Sequence, residues 1–155
     1  LGTNAFSGEV PATTSAVDRA AAAFGQGRTE VSPLALAVST ASVARGSYVS
    51  PTLAVDGSAT AEPTPLPKGP VSTLQSLMRD VVTNGTGTAL RSVPGGPVHA
   101  KTGTAEFGSE KPPRTRAWIT GWQGDVAFAV LVEEGKSGGT VAGPVAARFL
   151  SLLHR

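Results

Sequence analysis

Residues Val126 to Val132 form an unbroken apolar run. Such a run is far short of the roughly 20 residues needed to cross a membrane, and it reads as a strand buried on both faces. The segment just before it, Trp122-Gln123-Gly124-Asp125, is a tight antiparallel turn. Ala117 to Trp122 is therefore its hairpin partner. Val98 to Thr104 reads as a further strand. After Gly138-Gly139 the chain enters a helix at Pro144, with Val145, Phe149, Leu152 and Leu153 on one face that can lie on the sheet. The last third thus predicts three antiparallel strands and a covering C-terminal helix.

The preceding two thirds are built differently. Gly and Pro number 19 and 12 of 155 residues, which predicts many loops. Ala20 to Phe24 is a short helix or a buried strap, and Gly25-Gln26-Gly27 is a turn. It is not a phosphate loop, because no Gly-Lys-Ser/Thr follows it and no strand precedes it. Ser32-Pro33 opens a helix: serine can cap the free N–H groups and proline suits the first helical position. Leu34, Ala37, Val38 and Ala41 form its apolar face, small enough for close packing, and Gly46 ends it. Tyr48 to Val55 is weakly extended. Pro63, Pro65, Pro67 and Pro70 make Ala59 to Pro70 an exposed loop. A second helix covers about Ser72 to Thr83, with Leu74, Leu77, Met78 and Val81 as its apolar face, and Asn84-Gly85 stops it. Thr86 to Pro97 is a connection. No internal repeat is present.

Composition removes several functions. Net charge is +2, and the lysines (Lys68, Lys101, Lys111 and Lys136) are scattered singly, which does not make a nucleic-acid surface. Cysteine is absent, excluding disulfides, thiolate metal sites and a cysteine nucleophile. His99 and His154 are too far apart in sequence for a local metal motif. The apolar fraction of 40% is enough for a core, but aromatics are only 5%, so Ala, Val and Leu must fill it. Leu1-Gly2-Thr3-Asn4 has no signal-peptide pattern and reads as an internal start.

The run His99-Ala100-Lys101-Thr102-Gly103-Thr104-Ala105-Glu106 carries the chemistry. Lys101 offers a fixed positive charge, and the hydroxyls of Thr102 and Thr104 can donate to a carboxylate. Gly103 lets a ligand approach the backbone, and on a strand bordering a cleft the Thr104 N–H is free for an oxyanion. The alternative is a solvated edge strand whose lysine discourages aggregation. Trp118 and Trp122 read as packing residues, and His99 as a structural or solvent-facing histidine. Glu133-Glu134-Gly135-Lys136 reads as a solvated strand end, and Arg114 and Arg116 as surface arginines, with contact to an acidic partner or substrate as the alternative.

Lys101-Thr102-Gly103 resembles one of the three signature elements of the serine penicillin-recognising enzymes, which include penicillin-binding proteins and serine β-lactamases. The likeness extends further. Gly25-Gln26-Gly27 with Ser32-Pro33-Leu34-Ala35-Leu36-Ala37 resembles the entry into a family helix. Ala100 to Glu106 resembles the active-site strand, and Ala117-Trp118-Ile119-Thr120-Gly121-Trp122 the strand after it. From about Phe24 to the C-terminus the chain is most similar to class B penicillin-binding proteins. The resemblance implies an α+β chain, part of a β-lactamase/transpeptidase-like fold with helices in a second layer. It implies peptidoglycan D,D-transpeptidase activity through an acyl-serine intermediate, with no metal or organic cofactor. Lys101 and Thr104 would be catalytic, the Thr104 N–H being half of the oxyanion hole. Thr102, Gly103 and Thr104 would bind substrate, taking the terminal carboxylate of a D-Ala-D-Ala stem peptide or of a β-lactam. The loop Glu106 to Arg114 would border the cleft. An extracytoplasmic site, anchored by a segment outside this chain, is also implied. A D,D-carboxypeptidase, a β-lactamase, a β-lactam sensor and a non-catalytic module share the fold.

Two family elements are missing. The nucleophile lies in Ser-x-x-Lys, but the residues three before the four lysines are Pro65, Val98, Gly108 and Glu133. The second element is Ser-x-Asn, but Asn4 and Asn84 follow Gly2 and Val82 at that spacing. The family sheet has five strands, two from the start of the domain. The expectation is therefore that residues 1–155 are the C-terminal part of one transpeptidase domain. Its N-terminal half, on a separate, cleaved or upstream stretch, would carry both elements.

Overall fold

The computed structural model describes residues 6–52 and 62–154. Parts of the extended segment before Val55 and of the proline-rich stretch after Ala59 lie outside them. Helices α1 (Ala16–Ala23) and α2 (Pro33–Arg45) are followed by the two-residue strands β1 (Ser47–Tyr48) and β2 (Thr64–Pro65), which pair antiparallel. Helix α3 (Lys68–Thr83) and a 3₁₀ turn (Thr88–Leu90) lead into β3 (Val98–Phe107), β4 (Arg114–Gln123) and β5 (Val126–Val132). A π-helical turn (Gly138–Ala142) opens the last helix, α4 (Gly143–Leu153).

The three long strands form one antiparallel sheet in the order β3-β4-β5, with Gly124-Asp125 as the turn between the last two. Val98 faces Gln123 and Phe107 faces Arg114 across β3–β4, and Ala117 faces Val132 across β4–β5. One face of the sheet carries Val98, Ala100, Ala117, Ile119 and Phe128. Against it pack Val82 of α3, Leu90, and Ala142, Ala146 and Leu150 at the C-terminal end. Four of these ten core residues are alanines, which lets helices sit close to strands where aromatics are scarce. Helix α2 lies on the opposite face, over β4 and β5.

Local signals place α2 well. Ser32 Oγ accepts the Ala35 N–H at 3.1 Å, Pro33 occupies the first turn, and Gly46 closes the helix at φ 76°, where a side chain would be strained. Helix α3 begins earlier than its prolines suggested. Pro70 is its third residue, where no intrahelical N–H bond is lost. Pro65 sits in an edge strand of two residues, so its missing donor costs nothing.

The apolar stripes read from spacing are largely not the buried ones. In α3 the buried residues are Val71, Met78 and Val82, whereas Leu74 and Leu77 are 44% and 55% exposed. In α2 the buried residues are Thr40 and Ser42; Ala37, Val38 and Ala41 are half-buried and Leu34 is exposed. In α4, Ala146 and Leu150 meet the core, and Val145, Phe149, Leu152 and Leu153 face outward at 43–49% exposure. Strand β5 is not buried on both faces: only Phe128 is fully covered, because β5 is an edge of this sheet.

Candidate functional site

Strand β3 is the other edge of the sheet, and register fixes what each side chain faces. Val98 and Ala100 point into the core. His99, Lys101, Gly103, Ala105 and Phe107 point to the α2 side, with Arg114, Arg116, Trp118, Thr120 and Trp122 beside them on β4. A cavity of about 510 Å³ opens on that side. Lys101, Thr102, Gly103 and Thr104 all line it, with Gln26, Arg116 and Trp118.

Three contacts hold the β3 edge. Arg79 of α3 donates to the Val98 carbonyl at 2.7 Å. The Thr102 hydroxyl meets the Thr86 hydroxyl at 2.6 Å. The Gln26 side-chain amide donates to the Thr104 carbonyl at 2.8 Å. This last contact reveals a direction. In an antiparallel pair, a residue's N–H and C=O point to the same side. Because Thr104 gives its carbonyl to Gln26 rather than to β4, its N–H also points off the sheet edge into the cavity. Thr102, two residues away, has the same orientation, and its carbonyl accepts from Lys101 Nζ at 2.6 Å. The edge therefore offers two outward-facing peptide units beside one lysine.

Glycine at position 103 has a packing cause. A Cβ there would stand 3.3 Å from Cβ of Trp118, and Gly138 of the π-helical turn lies directly against the Gly103 backbone. On the far side of the cavity wall, Thr40 and Thr120 share a 2.6 Å hydroxyl contact, and Thr120 also reaches the Phe128 carbonyl at 2.9 Å. This polar seam joins α2 to the sheet directly beneath Lys101, whose register partner is Thr120.

His99 lies outside the cavity lining. Its ring stacks on Trp122 with centroids 4.4 Å apart, and its Nδ1 is buried with no partner among the described residues. Burial, and secondarily the Arg79 charge, hold its pKa below the ordinary 6.5, so it is neutral at pH 7. Trp122 is a packing residue at 8% exposure, but Trp118 lines the cavity. The stretch Glu106 to Arg114 does not line it. Glu106 and Phe107 continue β3, and the cavity wall on this strand pair ends with Ala105 and Arg116. Arg114 is paired with Glu110 at 3.1 Å and Glu134 at 3.5 Å. Arg116, for which contact with a partner or substrate was the alternative to a surface role, lines the cavity, whereas Gln26 was not legible as a site residue. For Gln26 the available signal was its place between two glycines, Gly25 and Gly27, both at positive φ.

Among the described residues, no group of acidic, histidine or cysteine side chains could hold a metal ion. None of their helices is long and apolar enough to cross a membrane.

Comparison with known proteins gives this arrangement a context. The family model of the penicillin binding protein transpeptidase domain matches residues 2–151. Penicillin-binding protein PBP2 of Helicobacter pylori, solved in complex with MreC, is 26% identical with a TM-score of 0.79; the match covers 97% of this chain and 31% of that one. PBP2 of Pseudomonas aeruginosa, solved with WCK 5153, is 27% identical with a TM-score of 0.64, over 83% of this chain and 31% of that one. A peptidoglycan glycosyltransferase of Burkholderia ambifaria shares the fold at 24% identity and a TM-score of 0.74, over 96% and 48% of the two chains. No curated protein matches. The chain thus spans 31% to 48% of the length of these solved relatives. With three-quarters or more of its length aligned in each case and the family model running almost end to end, the chain belongs to the penicillin-binding protein transpeptidase domain family.

Proposed function

We propose that this chain forms the Lys-Thr-Gly wall of a peptidoglycan D,D-transpeptidase whose nucleophile resides outside it. The observation that carries the reading is the β3 edge. Lys101 Nζ lies at the Thr102 carbonyl, Lys101, Thr102 and Thr104 all line a cavity of about 510 Å³, and the Thr104 N–H is directed off the strand edge into it. Thr102 and Thr104 take the terminal carboxylate of a D-Ala-D-Ala peptide, with Lys101 supplying the charge. The Thr104 N–H receives the oxyanion as a serine oxygen adds to the penultimate carbonyl. The peptide C–N bond breaks, the last D-alanine leaves as the free amine, and an acyl-serine ester remains. An amine of a neighbouring stem peptide attacks that ester and releases the serine. A β-lactam enters the same wall and acylates the same serine. The reaction belongs to the extracytoplasmic face of the cell membrane, where peptidoglycan is cross-linked.

Two surfaces support a complementary N-terminal half. The outer edge of β5 has no strand beside it among the described residues, and the outward face of α4 carries Val145, Phe149, Leu152 and Leu153. An apolar edge strand and an apolar helix face normally have cover. No Ser-x-x-Lys or Ser-x-Asn occurs in the 155 residues, so the same half carries both.

Fluorescent penicillin, followed by a denaturing gel, tests the assembly. The label is expected on the polypeptide segment bearing Ser-x-x-Lys. Label on residues 1–155 themselves, or none in a folded sample, overturns the reading.

A further inference from the structure

The Thr102 hydroxyl has a single partner among the described residues, the Thr86 hydroxyl at 2.6 Å, and the Thr86 hydroxyl has no other partner there either. Alternation along β3 puts the Thr102 side chain on the face away from Lys101, where the turn after α3 comes up to the strand.

Two segments hold Thr86 in place. The Asn84 and Gly85 N–H groups donate to the Asp80 carbonyl at 2.8 and 3.0 Å, and the Gly87 N–H donates to the Val81 carbonyl at 2.8 Å. These bonds fold the turn onto the end of α3. The π-helical turn is the second segment. A side chain at Gly139 would overlap the Thr86 carbonyl, and one at Gly138 would overlap the Trp118 carbonyl and crowd the Gly103 backbone. Two adjacent glycines thus bring one segment against both Thr86 and β3. The spacing between Thr86 and Thr102 is set by backbone packing rather than by either side chain.

The contact also carries a direction. Two hydroxyl protons serve one contact, so either threonine can be the donor. A carboxylate only accepts, so it needs the Thr102 proton for itself. Thr86 must then donate to Thr102 Oγ1 while Thr102 donates onward, and each bond in such a chain strengthens the other. The bond from Thr86 also selects among the staggered χ1 positions of Thr102, so that the hydroxyl and not the methyl takes this place.

We infer that Thr86 is a positioning residue for the transpeptidase reaction, donating to Thr102 and so holding that hydroxyl ready for the substrate's terminal carboxylate. This role rests on the carboxylate reading of the β3 edge.

The test is a double-mutant cycle on the complete enzyme, this chain together with the nucleophile-bearing half. Its readout is the second-order rate of acylation by fluorescent penicillin. Circular dichroism shows that each variant is folded, and Thr86→Ala takes the place of Thr86→Val if valine disturbs the turn. Thr86→Val is expected to slow acylation about fivefold, the usual contribution of one hydrogen bond. Thr86→Ser should keep the wild-type rate. In a Thr102→Val background, Thr86→Val should cause no further loss, because the partner through which it acts is gone. An unchanged rate in Thr86→Val, a failure of serine to rescue, or an equal loss in both backgrounds overturns the inference. An equal loss would mean that Thr86 only supports the fold. The two readings fail separately. No labelling of the wild type removes the transpeptidase reading, whereas labelling without coupling between Thr86 and Thr102 removes only the role of Thr86.

Discussion

At the scale of the residue, the cavity wall depends on polar atoms whose partners are counted out closely. Thr40 and Thr120 have two hydroxyl protons for three contacts: the Leu36 carbonyl, each other, and the Phe128 carbonyl. The protons can therefore be arranged in more than one way without moving a heavy atom, and the seam between α2 and the sheet stays polar but satisfied. His99 shows the opposite case, a buried nitrogen with no partner. Its folded-state pKa is below 6.5, so the unfolded chain binds the proton more readily. The stability that comes from keeping His99 neutral is present above about pH 6.5 and is lost as pH falls toward the folded-state value. Replacing His99 by Phe keeps the stack on Trp122 and removes the titration. The melting midpoint of the assembled wild-type domain should fall more between pH 7 and pH 5 than that of His99→Phe. Parallel curves would show that another group carries the acid sensitivity.

At the scale of the element, the β3 edge is held from outside the sheet by a turn far away in sequence. Gly25 and Gly27 at positive φ present the Gln26 side chain to the Thr104 carbonyl, 78 residues later in the chain. Removing the amide in Gln26→Ala should leave the sheet paired but let the Thr104 peptide drift. Small misplacements of a reacting group are costly, so acylation by penicillin is expected to slow about tenfold. The check is stopped-flow labelling of the two proteins, with circular dichroism to show that both are folded. An unchanged rate would mean that β4 alone holds the strand. The two ends of helix α2 were legible, since Ser32, Pro33 and Gly46 are local signals acting on their own neighbours, but its buried face was not. Helix α3 was legible in period but not in phase. Leu74 and Leu77 satisfy the spacing, yet Gln75 turns inward to donate to the Val43 and Ala44 carbonyls at the end of α2. Gln75 shares its face with the buried Val71, Met78 and Val82, which leaves the leucines outward.

At the scale of the whole molecule, the same outward apolar face recurs in α4, and together with the β5 edge it leaves apolar surface uncovered. Residues 1–155 alone are therefore expected to self-associate rather than remain a monomer with one cooperative transition. Sedimentation of the isolated chain checks this; a monodisperse monomer with a sharp unfolding transition would mean that no complementary half is required. The sequence by itself determined the three strands, the two-residue turn between β4 and β5, the capped helix α2 and the Lys101-Thr102-Gly103-Thr104 run on β3. Each of these is written in neighbours along the chain, through period, turn chemistry and capping. Only the tertiary structure decided which helix faces are buried, because each helix carries apolar residues on more than one face and the position of the sheet selects among them. It also decided that Gln26 orients the Thr104 peptide and that Arg116 joins Lys101 on one face. Both depend on strand register and on contacts between distant segments, which no local pattern contains.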